Sequence, residues 1–272
     1  MAPRRFSAAL ALLCIGAAPI ALTGCAPEPA ATTGSADSTA DSHSETASPE
    51  SSAEATHEAE PAEQTPADSD FDATAHSLDD PASLWVVTNK LRRLQPNDFA
   101  PDDLVMPAGV ENEFAQPLRH PAARAVEAFV AAAAADGLNV RIISAYRDYA
   151  TQVALYDGYV MRDGQAAADT YSARPGHSEH QTGLVVDFDD HGDCYLSACF
   201  GDTPAGIWLA EHAAEHGFIV RYPEGKQEVT GFMPEPWHFR YVGPELAEQM
   251  RETGVTTLEE FFGLPSAPGY AS

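Results

Sequence analysis

The segment between Ala26 and about Asp80 sets the limits on what this chain can fold into. It consists mainly of Ala, Ser, Thr, Pro, Glu and Asp, and no Lys or Arg occurs between Arg5 and Lys90. Such a composition cannot bury enough apolar surface to offset the entropy of ordering, and its carboxylates repel one another. We therefore expect residues 25–80 to form a disordered acidic stalk, and residues 81–272 to form one folded domain. Composition does not distinguish a stalk of selected length from a simple spacer.

The first residues have the pattern of a secretory signal. Arg4 and Arg5 precede an apolar run that is shorter than the about 20 residues of a membrane-spanning helix. Small residues follow, and Cys25 comes directly after Thr23-Gly24, which resembles the lipobox of bacterial lipoproteins. We expect residues 1–24 to be a cleaved lipoprotein signal peptide and Cys25 to carry the lipid. An ordinary signal peptide or an uncleaved anchor is the alternative, and each places the domain outside the cytoplasm.

Charge and cysteine content limit the binding partners and the cellular compartment that this chain can have. A net charge of −26 argues against nucleic-acid binding and against electrostatic attachment to an anionic membrane. Cys194 and Cys199 lie close together in one loop, which favours a disulfide in an oxidising compartment. A pair of metal ligands is the alternative, but no further soft ligand lies nearby in the sequence.

Hydrophobic patterns in the folded part predict an α+β domain with a small, largely antiparallel sheet flanked by helices. Turn and capping signals separate the segments. Helices are predicted over 121–135, 148–161, 203–216 and in the tail 244–262, which we expect to pack on the outside; strands are predicted over 138–144, 183–188, 218–222 and 237–242.

Two short segments contain metal-ligating residue types. His180 lies in a loop, and Asp187 follows it within an apolar run, where a carboxylate is costly to bury unless it is paired or bound to a metal. His238 follows Glu235-Pro236-Trp237, and strand alternation would put positions 235 and 238 on opposite faces, so a kink near the proline is needed to bring both to one site. Two histidines and one carboxylate form an open, catalytic type of zinc site.

Each of these residues also has an ordinary structural interpretation. A single buried histidine is usually structural, Asp187 could cap a turn, and Glu235 could pair with Arg240. Arg147 lies where a predicted strand ends and a helix begins, and it could either stabilise a developing negative charge or form a weak surface salt bridge.

Four segments together resemble the VanY-type D-alanyl-D-alanine carboxypeptidases of the zinc peptidase superfamily that also contains lysostaphin-like and hedgehog-like folds. They are SAYRDYATQ, RPGHSEHQTGLVVDF, GFIVRYPEGK and TGFMPEPWHFRYVG, in the family's order. SxHxxGxxxD followed by ExWH is a specific signal, and the four segments span over half of the predicted domain. Ala145 stands where glycine is usual, and Val185 stands where alanine is usual; Val185 is expected to face the core beside the site.

The resemblance implies a specific active site. One zinc ion per chain would be held by His180, Asp187 and His238 on the sheet, with Glu235 as general base and proton shuttle. Arg147 would polarise the scissile carbonyl, and Gln152 and Ser178 would hold the C-terminal residue of the substrate.

The activity implied is removal of a C-terminal D-alanine from peptidoglycan stem peptides. From the signal pattern and Cys25 we expect the chain to be anchored to the membrane and to face the cell wall, and we expect it to be a monomer. The alternatives are an L,D-carboxypeptidase that acts on tetrapeptide stems, an endopeptidase, and a non-catalytic wall-binding module. Such modules often lose the base, whereas Glu235 is present here.

Overall fold

The structure, a computed structural model, describes residues 71–271 of the chain. The predicted signal peptide, the lipidation site Cys25 and residues 25–70 of the predicted stalk lie outside this range. Within residues 71–271, the structure contains no helix that is both long enough and apolar enough to span a membrane.

A four-stranded sheet carries the site residues. Its strands lie in the order β3 (Arg141–Ser144), β4 (Val185–Asp189), β6 (His238–Tyr241) and β5 (Phe218–Val220). All three pairings are antiparallel, as the sequence predicted, and they place Asp187 opposite His238. A second antiparallel pair, which the sequence did not predict, joins β1 (Leu104–Val105) to β2 (Leu118–Arg119).

Helices surround the sheet, and their starts follow the capping signals. Pro121 lies in the first turn of the first helix, Asp148 Oδ1 accepts from Thr151 N (2.7 Å), and Thr203 Oγ1 accepts from Gly206 N (3.0 Å). The described helices are α1 (His120–Ala135), α2 (Tyr149–Asp163), α3 (Gln165–Tyr171), α4 (Pro204–His212), α5 (Gln227–Thr230), α6 (Pro244–Thr253) and α7 (Leu258–Phe261), with 3-10 turns at Glu179–Thr182, Ala198–Asp202 and Ala214–His216.

The main core lies between α1 and one face of the sheet. Phe129 of α1 is fully buried, and its ring packs against Phe188 of β4, Phe218 of β5 and Phe239 of β6 at centroid distances of 5.6 to 6.0 Å. Because side chains alternate along a strand, Asp187 and His238 project from the opposite face. The hydrophobic contacts on one face therefore fix the polar residues on the other.

A second core cluster forms around the last helices. Trp85, Val242 and Leu246 are buried in it, and Trp85 Nε1 donates to Val242 O at 2.8 Å. Residues 71–80, which the sequence assigns to the stalk, also pack here, because Phe71 stacks on Trp85 with ring centroids 5.5 Å apart. The tail does not lie only on the outside, since Leu258 and Glu259 of α7 are fully buried.

Candidate active site

The register of β4 and β6 brings two candidate ligands together. Asp187 and His238 are directly opposite each other, and Asp187 Oδ1 lies 3.1 Å from His238 Nδ1. Both side chains are buried, with exposures of 4% and 3%.

His180 reaches the same point from the 3-10 turn before β4. Its Nδ1 lies 2.7 Å from the carbonyl oxygen of Ala145, so that Nε2 faces Asp187 Oδ2 at 3.3 Å. The turn ends at Gly183, whose φ of +68° is a left-handed conformation, and a Cβ there would lie 2.9 Å from Arg119 Cγ. Glycine is therefore needed for the chain to pass from the His180 turn into β4.

The three residues form a candidate metal site. One ligand atom from each of His180, Asp187 and His238 lies within 4.8 Å of the others. Among the described residues, Asp187 Oδ1 accepts no well-aligned hydrogen bond, and its neighbour at 3.1 Å is His238 Nδ1, itself a candidate ligand atom; a buried oxygen of this kind is suited to bind a cation. Two imidazole nitrogens and one carboxylate oxygen are a donor set that suits zinc and leaves a coordination position open.

Two of the three candidate ligands are in protonation states that suit metal binding. Burial would raise the pKa of Asp187, but His180 and His238 outweigh it and hold that pKa far below its ordinary value. Burial also lowers the pKa of His180, which keeps this imidazole neutral and able to ligate. The site therefore presents an ionised carboxylate and at least one neutral imidazole near neutral pH.

Glu235 reaches the site through the kink that the sequence requires. It precedes β6 in a turn in which His238 N donates to Glu235 O (3.1 Å), and its Oε2 lies 3.4 Å from His238 Nδ1. Burial raises the pKa of Glu235 to about 8, although His238 opposes this shift. A carboxyl group with a raised pKa beside a metal site can accept and return a proton near neutral pH.

The predicted substrate-binding residues line the same cavity, which has a volume of about 580 Å³. Arg147 N donates to His180 O (3.2 Å), which ties the arginine to the metal-binding turn, and Arg147 Nη1 donates to Gln152 Oε1 (3.1 Å). Gln152 Nε2 in turn donates to Ala173 O (2.6 Å), and Ser178 is 4% exposed. Arg147 is thus held by the cavity wall rather than by a surface salt bridge.

A disulfide-closed loop forms part of the wall. Cys194 and Cys199 are joined, which is the pairing the sequence favoured over a metal site. Between them, Leu196, Ser197 and Ala198 border the cavity.

Val185, expected beside the site, is fully buried and is not among the residues that line the cavity. The lining residues are Arg147, Gln152, Tyr159, Arg162, Tyr171, Ser172, Ala173, Ser178, Glu179, His180, Asp187, Leu196, Ser197, Ala198, Tyr222, Phe232, Met233, Glu235, Trp237 and His238.

Sequence reasoning assigned no role to Glu179 or to the carbonyl of Ala145. Glu179 Oε2 lies 3.6 Å from His238 Nε2, on the side of the ring away from Asp187. Arg240 pairs with Glu179 (2.9 Å) rather than with Glu235. The available signal was Arg240 within the predicted strand 237–242, because an arginine that a strand buries requires a carboxylate partner somewhere in the fold.

Comparisons with known proteins agree with this geometry. The VanY family model, described as D-alanyl-D-alanine carboxypeptidase, matches residues 115–244. The chain is 34% identical over 176 residues to the bifunctional D-Ala-D-Ala dipeptidase and D-Ala-D-Ala carboxypeptidase VanXYC of Enterococcus gallinarum. That match covers 64% of this chain and 90% of the relative.

Two solved structures are similar as well. The LD-carboxypeptidase LdcB is 36% identical with a TM-score of 0.63, and the match covers 67% of this chain and 87% of LdcB. A mutant of the vancomycin resistance D,D-pentapeptidase VanY, crystallised with Zn(II), is 30% identical with a TM-score of 0.55 over 65% of this chain and 97% of that one. This chain therefore belongs to the VanY family of D-alanyl-D-alanine carboxypeptidases and is a metallopeptidase.

Proposed function

We propose that this domain is a zinc-dependent D,D-carboxypeptidase that removes the C-terminal D-alanine from peptidoglycan stem peptides. The observation that carries the proposal is the meeting of His180, Asp187 and His238 with the buried base Glu235 in one cavity. His180 through Nε2, Asp187 and His238 through Nδ1 would hold the zinc ion. Zinc in such a site supplies a Lewis acid that polarises a carbonyl and lowers the pKa of water.

The side chains around the metal site have separate tasks. Glu235 takes a proton from the attacking water and gives it to the amine of the departing D-alanine. Arg147 directs its guanidinium at the carbonyl oxygen, where negative charge develops, and this kind of fixed charge is often the largest catalytic contribution. Gln152 and Ser178 hold the C-terminal residue of the peptide and its carboxylate.

A second candidate is an L,D-carboxypeptidase that acts on tetrapeptide stems. The LD-carboxypeptidase LdcB shows a higher identity (36% against 30%) and a higher TM-score (0.63 against 0.55) than the D,D-pentapeptidase VanY. The two reactions differ in the residue before the scissile bond, which is D-alanine in pentapeptides and an L-residue in tetrapeptides. The family model that matches this chain is that of D-alanyl-D-alanine carboxypeptidases, and this match favours the D,D reaction.

The proposed location is outside the cytoplasm, where the stem peptides are found. It rests on the signal pattern of residues 1–24 and on Cys25 as the lipid anchor. We propose that the chain acts there as a monomer.

The test is hydrolysis of two defined peptides by the full-length chain with its zinc content measured. Release of D-alanine from a stem pentapeptide and from a stem tetrapeptide is followed by mass spectrometry, with and without chelator. Chelator-sensitive cleavage of the pentapeptide alone supports the D,D reaction, and a preference for the tetrapeptide supports the L,D reaction. Zinc-loaded protein that cleaves neither peptide would contradict both carboxypeptidase assignments and favour an endopeptidase or a binding module.

A further inference from the structure

A group of buried charges lies directly behind His238. Glu179, Arg221, Arg240 and Glu259 belong to four separate segments of the chain, and none of them is more than 2% exposed. Two carboxylates and two guanidiniums balance each other in charge. Buried charges are retained in a stable fold only where they are closely paired, so this group requires a precise arrangement of all four side chains.

Glu179 is the member of this group that faces the metal site. Its Oε1 accepts from Arg221 Nε (2.8 Å) and from Arg240 Nη1 (2.9 Å). Its Oε2 points the other way and lies 3.6 Å from His238 Nε2. Within residues 71–271, neither Glu179 Oε2 nor His238 Nε2 has a hydrogen-bond partner. Because buried polar atoms rarely remain unpaired, a small movement of the imidazole toward Glu179 would satisfy both.

This contact determines which nitrogen of His238 can bind a metal. A carboxylate beside Nε2 favours the proton on that nitrogen, which leaves the lone pair on Nδ1. Nδ1 is the atom that faces Asp187, at 3.1 Å. Metal-binding histidines commonly donate their second ring N–H to a carboxylate that fixes the tautomer and the ring orientation. Glu179 has the position and the charge for this task.

Glu179 is in turn oriented from elsewhere in the chain. Glu259 of α7 accepts hydrogen bonds from both terminal nitrogens of Arg221. Nη2 donates to Oε1 (2.7 Å), and Nη1 donates to Oε2 (2.9 Å). Asn89 Nδ2 also donates to Glu259 Oε1, at 2.9 Å. Glu259 lies beyond residues 115–244, the range matched by the family model. The bidentate contact fixes the Arg221 guanidinium, which then directs Nε at Glu179.

We propose that Glu179, and Glu259 acting through Arg221, are positioning residues for His238 in the metal site. The inference deepens the proposed function and rests on it, because it concerns how the same site holds its metal. Helix α7 thus takes part in metal binding, although it is far from the candidate ligands along the sequence.

The first test measures zinc affinity of the full-length chain by competition with a chromophoric chelator. Glu179→Gln should weaken zinc binding by roughly 10- to 100-fold, the usual effect of losing an outer-shell partner. Glu259→Gln should weaken it by at least about fivefold, which is less than the effect of losing the outer-shell partner itself, because Glu259 acts on that partner only through Arg221. Glu260→Gln is the matched control, because Glu260 is the next residue on α7 and pairs with Lys226 at the surface (2.8 Å); its affinity should stay within about twofold of the wild type.

The double variant tests whether Glu259 acts through Glu179. If it does, Glu179→Gln with Glu259→Gln should bind zinc about as weakly as Glu179→Gln alone, because coupled residues are not additive. Independent, additive losses would contradict the relay, even if each single variant binds zinc less tightly. Should a Gln variant fail to fold, Glu179→Asp and Glu259→Asp keep the charge but shorten the reach, and they are expected to weaken zinc binding in the same order.

A second measurement needs no variant. Nitrogen-15 NMR of the imidazole rings in the zinc-loaded wild type should show His238 with a protonated Nε2 and a metal-bound Nδ1. Metal binding through Nε2 of His238 would overturn the proposal, and so would wild-type affinity in both glutamate variants. A wild-type chain that binds no zinc would instead refute the proposed function, and the positioning role with it.

Discussion

Asp187 and His238 are cross-strand neighbours on β4 and β6, and their ligand atoms lie 3.1 Å apart. This distance is set by strand register, because a shift of one residue would place Val186 or Phe239 on the site face. The aromatic packing of Phe129 against Phe188 and Phe239 on the other face holds that register. Metal binding by this domain therefore depends on the packing of its main core.

Replacement of a ligand should remove the metal. We expect Asp187→Asn to weaken zinc binding by more than the roughly 10- to 100-fold effect of an outer-shell change, because an amide supplies no negative charge. Zinc content after dialysis against a weak chelator is the measurement. Asp193→Asn, at an exposed position in the next loop, is the control and should retain its zinc. Full zinc content in Asp187→Asn would exclude this carboxylate as a ligand.

Loss of the base should separate catalysis from metal binding. Glu235→Gln keeps the shape of the side chain but cannot accept a proton, so kcat should fall by about 10²- to 10⁴-fold while zinc is retained. Peptide hydrolysis and zinc content are measured on the same preparation. Glu228→Gln, an exposed change nearby, should leave both unchanged. Near-normal turnover by Glu235→Gln would require another residue as the base.

Substitution of Arg147 should lower kcat without changing the zinc affinity. Arg147→Lys keeps a positive charge but loses the planar fork, and a lost donor to a developing oxyanion commonly costs about 10²- to 10³-fold in kcat. Steady-state kinetics should show this fall in kcat, with zinc affinity close to that of the wild type. Arg124→Lys, which alters a half-exposed arginine paired with Glu127, serves as the control. A change in KM alone would reassign Arg147 to ground-state binding.

Zinc affinity should depend on pH through His238. Burial would lower the pKa of His238, but Asp187 and Glu179 outweigh it and raise that pKa to about 9 in the metal-free chain. Zinc requires an unprotonated Nδ1, so each binding event displaces a proton below that pH. The apparent affinity should therefore rise with pH up to about 9 and then level off. Calorimetry in buffers of different ionisation enthalpy counts the protons released, and affinity that is constant across this range would contradict the assignment.

Removal of an aromatic ring from the hydrophobic core should destabilise the domain. Phe129→Ala removes a fully buried ring and should lower the free energy of unfolding by about 3–5 kcal/mol. Urea unfolding of the zinc-free chain provides the measurement. Met161→Ala, at a side chain that is 83% exposed, should change the free energy of unfolding by less than about 0.5 kcal/mol. Equal effects of the two substitutions would show that α1 does not form the core that holds the site.

The sequence predicted the local part of this site well. Asp187 within an apolar run and the proline after Glu235 each required an unusual environment, and the structure supplies a cluster of ligand atoms for one and a turn before β6 for the other. Two helix starts were predicted from Pro121 and Pro204, and the structure places each proline in the first turn of its helix, where its fixed φ fits and its missing N–H costs no hydrogen bond. Interactions within a few residues of the chain can be predicted from the residue types and their spacing.

Contacts between distant segments could not be predicted in the same way. Arg221 pairs with both Glu179 and Glu259, and Arg240 pairs with Glu179. No spacing rule in the sequence connects these positions. In α7, Glu259 is buried against Arg221 and Leu258 is buried in the second core cluster. Both contacts join distant segments, so the sequence predicted that the tail would lie outside. The predicted strand 138–144 is shorter in the structure, where β3 begins at Arg141, because Arg141 pairs with Asp189, the last residue of β4.

The loop closed by Cys194 and Cys199 supplies one wall of the cavity through Leu196, Ser197 and Ala198, whereas the candidate metal ligands come from the sheet and the His180 turn. A surface loop tolerates substitution and changes of length better than the elements that flank it. Evolution or design can therefore alter the shape of this wall while the strand register, and with it the hydrolytic centre, stays in place. The shape of this cavity wall and the chemistry of the centre are encoded in different parts of the domain and can diverge independently.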